Sequence, residues 1–363
     1  MIRHMPGPFL FQRRWKLPSR LLATFLAVAF ASIASEQSKP ETVPGATAPA
    51  NVPGTYSHIK IYDLKTRTSR EIYSSNGFYE GPYYSRDGKY LFFEGGPDQQ
   101  LYRIPVSGGK PEIVDIGQVR IKHDHGFSPD GKWLAMNFAG GTQVFLSTAT
   151  GADRHTITPK DQLFYFHVWS PDSQWIIGGS RKPDTSYGIY RIKPDGSGEE
   201  SLMQLGDVAN DVPDFTADGK WIYFNSDRTG SFQIWRMPAD GAGPGDKLAR
   251  QVTTDKTQNW WPHPSPDGKW LVFASYEPNV RVDAPMAQWI KNHPGETISH
   301  YNLTNHPYNQ NVVLRLRSLP GNDVRPAPSK LLAHIIGGQG SININSWSPD
   351  SQHFAYVSYE AKP

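Results

Sequence analysis

From Lys220 to Ser226 the chain reads KWIYFNS, a dense apolar run of strand length. A polar loop (DRTGS) follows, then a second such run (FQIWRMPA), a Gly-containing turn (DGAG) and a shorter run (KLARQVT). Taking the residues ahead of Asp218 as a first strand, the pattern predicts four antiparallel strands, which is one propeller blade.

The pattern recurs. YYSRDGKYLFFEG, GFSPDGKWLAMNF, VWSPDSQWIIGGS, DFTADGKWIYFNS, HPSPDGKWLVFAS and SWSPDSQHFAYVS each carry a turn of the form Ser/Thr-x-Asp-Gly/Ser before an apolar run. The aspartates are Asp87, Asp130, Asp172, Asp218, Asp267 and Asp350, spaced by 43, 42, 46, 49 and 83 residues. A period of this length is that of a repeat architecture, and six copies predict six blades. In such a turn Asp bonds the backbone and Gly takes a positive φ. Ser173 and Ser351 stand where the other four turns have Gly, so replacing either with Gly is expected to raise stability.

After Asp350 the chain supplies a single strand, QHFAYVSYE, while residues 57–75 near the other end read strand, turn, strand. The N-terminal pair is therefore expected to complete the C-terminal blade and close the ring, leaving no unpaired edge. The long interval lacks the turn and the strand pattern over residues 277–311. An insertion is expected there, between the second and third strands of the fifth blade, with a short helix around PMAQWIKNH. The fold class is all-β: a six-bladed propeller of four-stranded antiparallel blades over residues 57–363.

Residues 1–34 read as a signal peptide: a basic start (QRRWK), an apolar run from Leu21 to Ala31 and small residues suited to cleavage before Ser35. Residues 35–56, rich in Pro, Ala and Thr, read as a disordered linker. Beyond the leader 32 basic residues face 34 acidic ones, so the overall charge of +3 does not point to nucleic acid. Without cysteine there are no disulfides, thiolate nucleophiles or Cys-ligated zinc. The expectation is an exported, periplasmic or secreted monomer, with no transmembrane domain once the leader is cleaved.

SPDGKW and YFNSDRTGSFQIWRMPADG resemble the repeat of TolB-type six-bladed propellers, over roughly residues 57–360. The 21 residues between leader and first strand cannot form the α/β domain that precedes the propeller in TolB itself. Related propellers occur in prolyl-oligopeptidase-type peptidases, but the chain has no GxSxG nucleophile elbow. They also occur in oligogalacturonate lyases, which use a histidine-rich manganese site.

Counting back from the Ser or Thr of each turn reaches the innermost strands near the channel mouth, opposite the turns. The positions there are polar: Glu80, Asp124, Asp211, Asp214, Trp261, Gln339 and Asn343 as contacts for a partner, and His123, His125, His167 and His263 as metal ligands. Trp260 and Asn345 lie beside them. Imidazole and carboxylate together suit a divalent cation such as manganese, zinc or calcium. Each histidine taken singly also fits a hydrogen-bonding role between blades, and either Trp fits a core role. His300, His306 and Tyr308 are placed over the mouth by the insertion, whose NLT at Asn302 matches a glycosylation acceptor. The functional expectation is an envelope protein or glycan bound at a histidine-rich channel mouth. The alternative is a metal-dependent carbohydrate-active enzyme, most plausibly a polysaccharide lyase, in which a cation stabilises the enolate-like intermediate.

Overall fold

The computed structural model describes residues 55–361, apart from 118–119, 139–142, 160–161, 182–186, 204, 278–290, 293, 295–309 and 320–327. The leader, nearly all of the linker, the expected helix apart from Lys291 and Asn292, which are helical, and His300, Asn302, His306 and Tyr308 lie outside the described residues, as does the side chain of His123.

Five four-stranded antiparallel sheets follow one another. Their innermost strands are Tyr79–Tyr84, Ile121–Phe127, Leu163–Trp169, Asn210–Phe215 and Gln258–Pro264. Each blade packs on the next and the sixth packs on the first. In blade five the second strand, Trp270–Tyr276, pairs directly with the third, Gln310–Ser318, so residues 277–309 form the excursion between them.

The sixth sheet is built from both ends of the propeller. Thr55–Asp63 lies between Thr68–Asn76 and His353–Ala361, paired in unbroken register with the latter from Thr55 opposite Ala361 to Asp63 opposite His353. The first of these strands begins at Thr55, just inside the expected linker. The sixth blade has three regular strands, and its innermost layer is the irregular segment from Ser341 to Trp347. That segment keeps hydrogen bonds from Ala355 N to Ser346 O and from Val357 N to Ser341 O, with a single bridge between Trp347 and Phe354. Its sequence, SININSW, is rich in Ser and Asn, whose side chains compete with ladder bonds, and here Asn343 and Asn345 reach across to Asp124 of blade two and Asp214 of blade four.

The turns repeat closely. In each, the Ser or Thr hydroxyl donates to the Asp carboxylate, at 2.7, 2.6, 2.5, 2.7, 2.6 and 2.5 Å from Asp87 to Asp350. The Asp also accepts the backbone N–H two residues on. The Ser128 hydroxyl and the Lys132 amide hold the Asp130 carboxyl down at about 2. These aspartates are thus occupied in shaping turns.

Ser173 and Ser351 take φ of 61° and 59°, the left-handed geometry for which the other turns use Gly. Both hydroxyls are engaged: Ser173 Oγ accepts the backbone N–H of Asp130 at 3.0 Å, and Ser351 Oγ that of Asp267 at 2.9 Å. Each bond crosses from one blade to the preceding one. This alters the expectation for Ser→Gly, because removing the strain also removes a seam contact.

Apolar clusters fill the gaps between blades. Ala135, Val144 and Leu146 of blade two pack with Phe164, Phe166 and Ile176 of blade three. Polar bonds at the same seams fix the blade angle: Asn137 donates to Phe164 O and accepts from Phe166 N, and Trp169 Nε1 donates to Gly126 O at 3.0 Å.

Candidate functional site

Every one of the five regular innermost strands breaks register with its neighbour at a similar depth. The shifts fall between Glu80 and Tyr83, Ile121 and His125, Phe166 and Val168, Asp211 and Asp214, and Trp260 and His263. A bulge bends a strand and re-aims its side chains. Three of these bulges contain a residue at positive φ followed by proline: Gly81 (62°), Val212 (50°) and Trp261 (53°). Glycine adopts this geometry without penalty, whereas Val212 and Trp261 hold it under strain.

At the second and fourth bulges stand Asp124 and Asp211, and between them, on blade three, His167. Its Nδ1 lies 3.2 Å from Asp124 Oδ2 and its Nε2 3.0 Å from Asp211 Oδ1. Burial opposes the charged imidazole, but the two carboxylates outweigh it and raise the His167 pKa to about 10. The group is an imidazolium at neutral pH. Asn343 of the sixth blade donates to Asp124 Oδ1 at 3.0 Å, so one chain of polar contacts links blades six, two, three and four.

A second set lies closer to the turns. His263 Nδ1 is 2.8 Å from Asp214 Oδ2, its Nε2 donates to Ile342 O at 2.5 Å, and Asn345 donates to Asp214 Oδ2 at 2.8 Å. Trp347 Nε1 completes the link by donating to His263 O at 2.9 Å. Blades four, five and six are joined in this way, and the irregular innermost segment of blade six supplies contacts to both sets.

The other expected residues separate. His125 is fully buried with its ring edge-to-face against Tyr83, 5.3 Å between centroids, toward blade one. Trp261 is 2 % exposed and packs on Trp260 and Tyr276 as part of a core cluster. Glu80 is buried opposite Glu94 on the neighbouring strand, and both carboxylates act with burial to raise the Tyr359 phenol well above its usual range. Glu94 was not reached by counting along innermost strands; its signal is a lone acid in the apolar run YLFFEG. Gln339 is half-buried in the Gly338–Gly340 turn ahead of the Ser341–Trp347 segment and remains accessible.

Both ring nitrogens of His167 and of His263 already face acceptors. Among the described residues no group of three or more His, Asp and Glu side chains has the geometry to hold a metal ion. What the arrangement does is fix the blades around the channel and leave more acidic than basic side chains on and beside the innermost strands: Asp124 and Asp211 flank His167, Asp214 meets His263, and Glu80 and Glu94 lie toward blade one.

Six repeats closed by an N-terminal strand, with polar contacts crossing the channel, define a six-bladed β-propeller. Residues 126–307 match the TolB β-propeller domain family. The chain is 35 % identical over 309 residues to an uncharacterized protein of Agrobacterium fabrum, covering 84 % of this chain and 92 % of the other. It is also similar to the solved structure of a candidate TolB from Agrobacterium tumefaciens, at 33 % identity and a TM-score of 0.70 over 84 % of this chain and 99 % of that one. Likeness to TolB from Acinetobacter baumannii, at 15 % identity and a TM-score of 0.51 over 86 % of this chain and 66 % of that one, is one of fold. The chain belongs to the TolB β-propeller family.

Proposed function

We propose that this protein is an exported binding scaffold of the cell envelope, which receives a protein partner over the mouth of its channel. The observation that supports this reading most directly is the pre-formed contact chain Asn343, Asp124, His167, Asp211. It fixes four blades around the channel, and a rigid rim of this kind lowers the ordering cost of docking a partner. The carboxylate excess around the channel favours partner groups that donate hydrogen bonds or carry positive charge. Among the described residues no helix is long and apolar enough to cross a membrane, and the expected leader supports a periplasmic location.

The test is site-specific photocrosslinking in intact cells, with a benzophenone side chain at Gln339 by the mouth or at Lys132 on the turn face. A discrete heterologous adduct at Gln339 and its absence at Lys132 is the expected result. No adduct at Gln339, or the same adduct from both positions, would overturn the reading.

A further inference from the structure

Between blades three and four, on the face of the turns and away from the mouth, lies a cleft of about 530 Å³. That volume is in the range of small-ligand pockets. Its apolar side is Ile177, Phe215 and Trp175, and its rim carries Asp172, Asp218 and Asp240. Arg191 also lines it, but that guanidinium stacks on Trp175 at 4.3 Å and is paired with Glu200.

The charge pattern at this cleft departs from that of four of the other repeats and shares its glutamine only with blade six, where Gln352 stands in the same position. In four of the six turns the aspartate meets a lysine two residues on: Lys89 with Asp87 at 3.5 Å, Lys132 with Asp130 at 3.1 Å, Lys220 with Asp218 at 3.2 Å and Lys269 with Asp267 at 3.3 Å. In blade three the lysine is replaced by Gln174, whose side chain donates to the Asp172 backbone carbonyl instead. Asp172 Oδ1 is occupied by Ser170 and the Gln174 amide, and no described cation stands within ion-pair distance of its carboxylate. Asp240, on the turn that follows the third strand of blade four, is exposed on the same rim, with no ion pair among the described residues.

An aromatic and aliphatic wall next to two carboxylates without a cation complements an ammonium on a methylene stem, which buries the stem while keeping its charge paired. We propose that this cleft takes a lysine side chain from an extended segment of a partner protein, filling the place that the chain's own lysine occupies in four other turns.

The experiment is an NMR titration of the full propeller at low ionic strength, following the Trp175 indole N–H, assigned by its loss in Trp175→Phe. The probes are acetyl-Gly-Lys-Gly-amide, its norleucine counterpart and cadaverine. The lysine peptide should bind saturably and the norleucine peptide at least tenfold more weakly. Gln174→Lys, which restores the sequence of the other turns and so should leave the thermal melt unchanged, should abolish binding. Asp240→Asn should weaken it severalfold, and Gln352→Lys in blade six should leave it unaltered. The proposal is overturned if the lysine peptide does not saturate, if Gln174→Lys still binds it, or if cadaverine binds and the peptide does not.

Discussion

The hydroxyl of Ser351 accepts the backbone N–H of Asp267 at 2.9 Å, joining the turn of blade six to that of blade five at a position where other turns carry Gly. Strain and bonding therefore act on one residue in opposite directions. Ser351→Ala keeps the left-handed φ and loses the bond, and should lower stability by about 1–2 kcal/mol. Ser351→Gly relieves the φ as it loses the bond, and should fall within about 0.5 kcal/mol of the parent. Urea denaturation of the two variants checks the ordering, and Ser173 should behave in the same way.

Removing His167 should be far more costly than removing either turn serine. His167→Leu leaves Asp124 and Asp211 buried as facing carboxylates, and a buried pair broken on one side typically costs about 3–5 kcal/mol. Adding Asp124→Asn and Asp211→Asn to His167→Leu should recover a large part of that loss by removing the stranded charges. Thermal melts of the single and triple variants make the comparison.

The same residue gives the propeller an alkaline sensitivity. Its folded pKa, about 10, lies above the ordinary 6.5, so its stabilisation is fully present below about pH 6.5 and is lost as pH rises toward 10. The slope can reach about 1.4 kcal/mol per pH unit for one proton. Buried phenols such as Tyr83, Tyr276 and Tyr359, raised by desolvation, add a further loss only above pH 10. Between pH 7 and 9.5 the parent melting temperature should fall steadily, and that of His167→Gln should fall distinctly less.

Val212 offers an inverted comparison. At most strand positions Ala is preferable to Gly, but at a φ of 50° the Cβ is itself the problem. Val212→Gly should therefore be more stable than Val212→Ala by about 1 kcal/mol, as read from chemical denaturation midpoints.

Much of the architecture was legible because a repeated turn is a local device. Ser, Asp and Gly act within six residues of one another, so their periodicity displays the blades and the deficit after Asp350 displays the closure. The polar residues of the channel were legible as a group, since Asp124, His167, Asp211 and Asn343 do converge. Their partners were not, because each contact depends on a bulge, and a bulge moves a side chain without leaving a fixed sequence mark. Only the Gly-Pro, Val-Pro and Trp-Pro pairs hint at three of them. Trp261 shows the same limit: beside another Trp it looks available for stacking, and only the fold around it reveals a core residue.

The strand Thr55–Asp63 has as one neighbour Thr68–Asn76, available almost as soon as it is made, and as the other His353–Ala361, available only after five further blades of chain. Throughout synthesis one edge of that hairpin must wait unpaired, presenting an open row of backbone donors and acceptors. Maturation therefore has a built-in delay: a truncated or stalled chain can form individual blades, yet it carries an open edge that recruits other chains, and only arrival of the final strand ends that exposure.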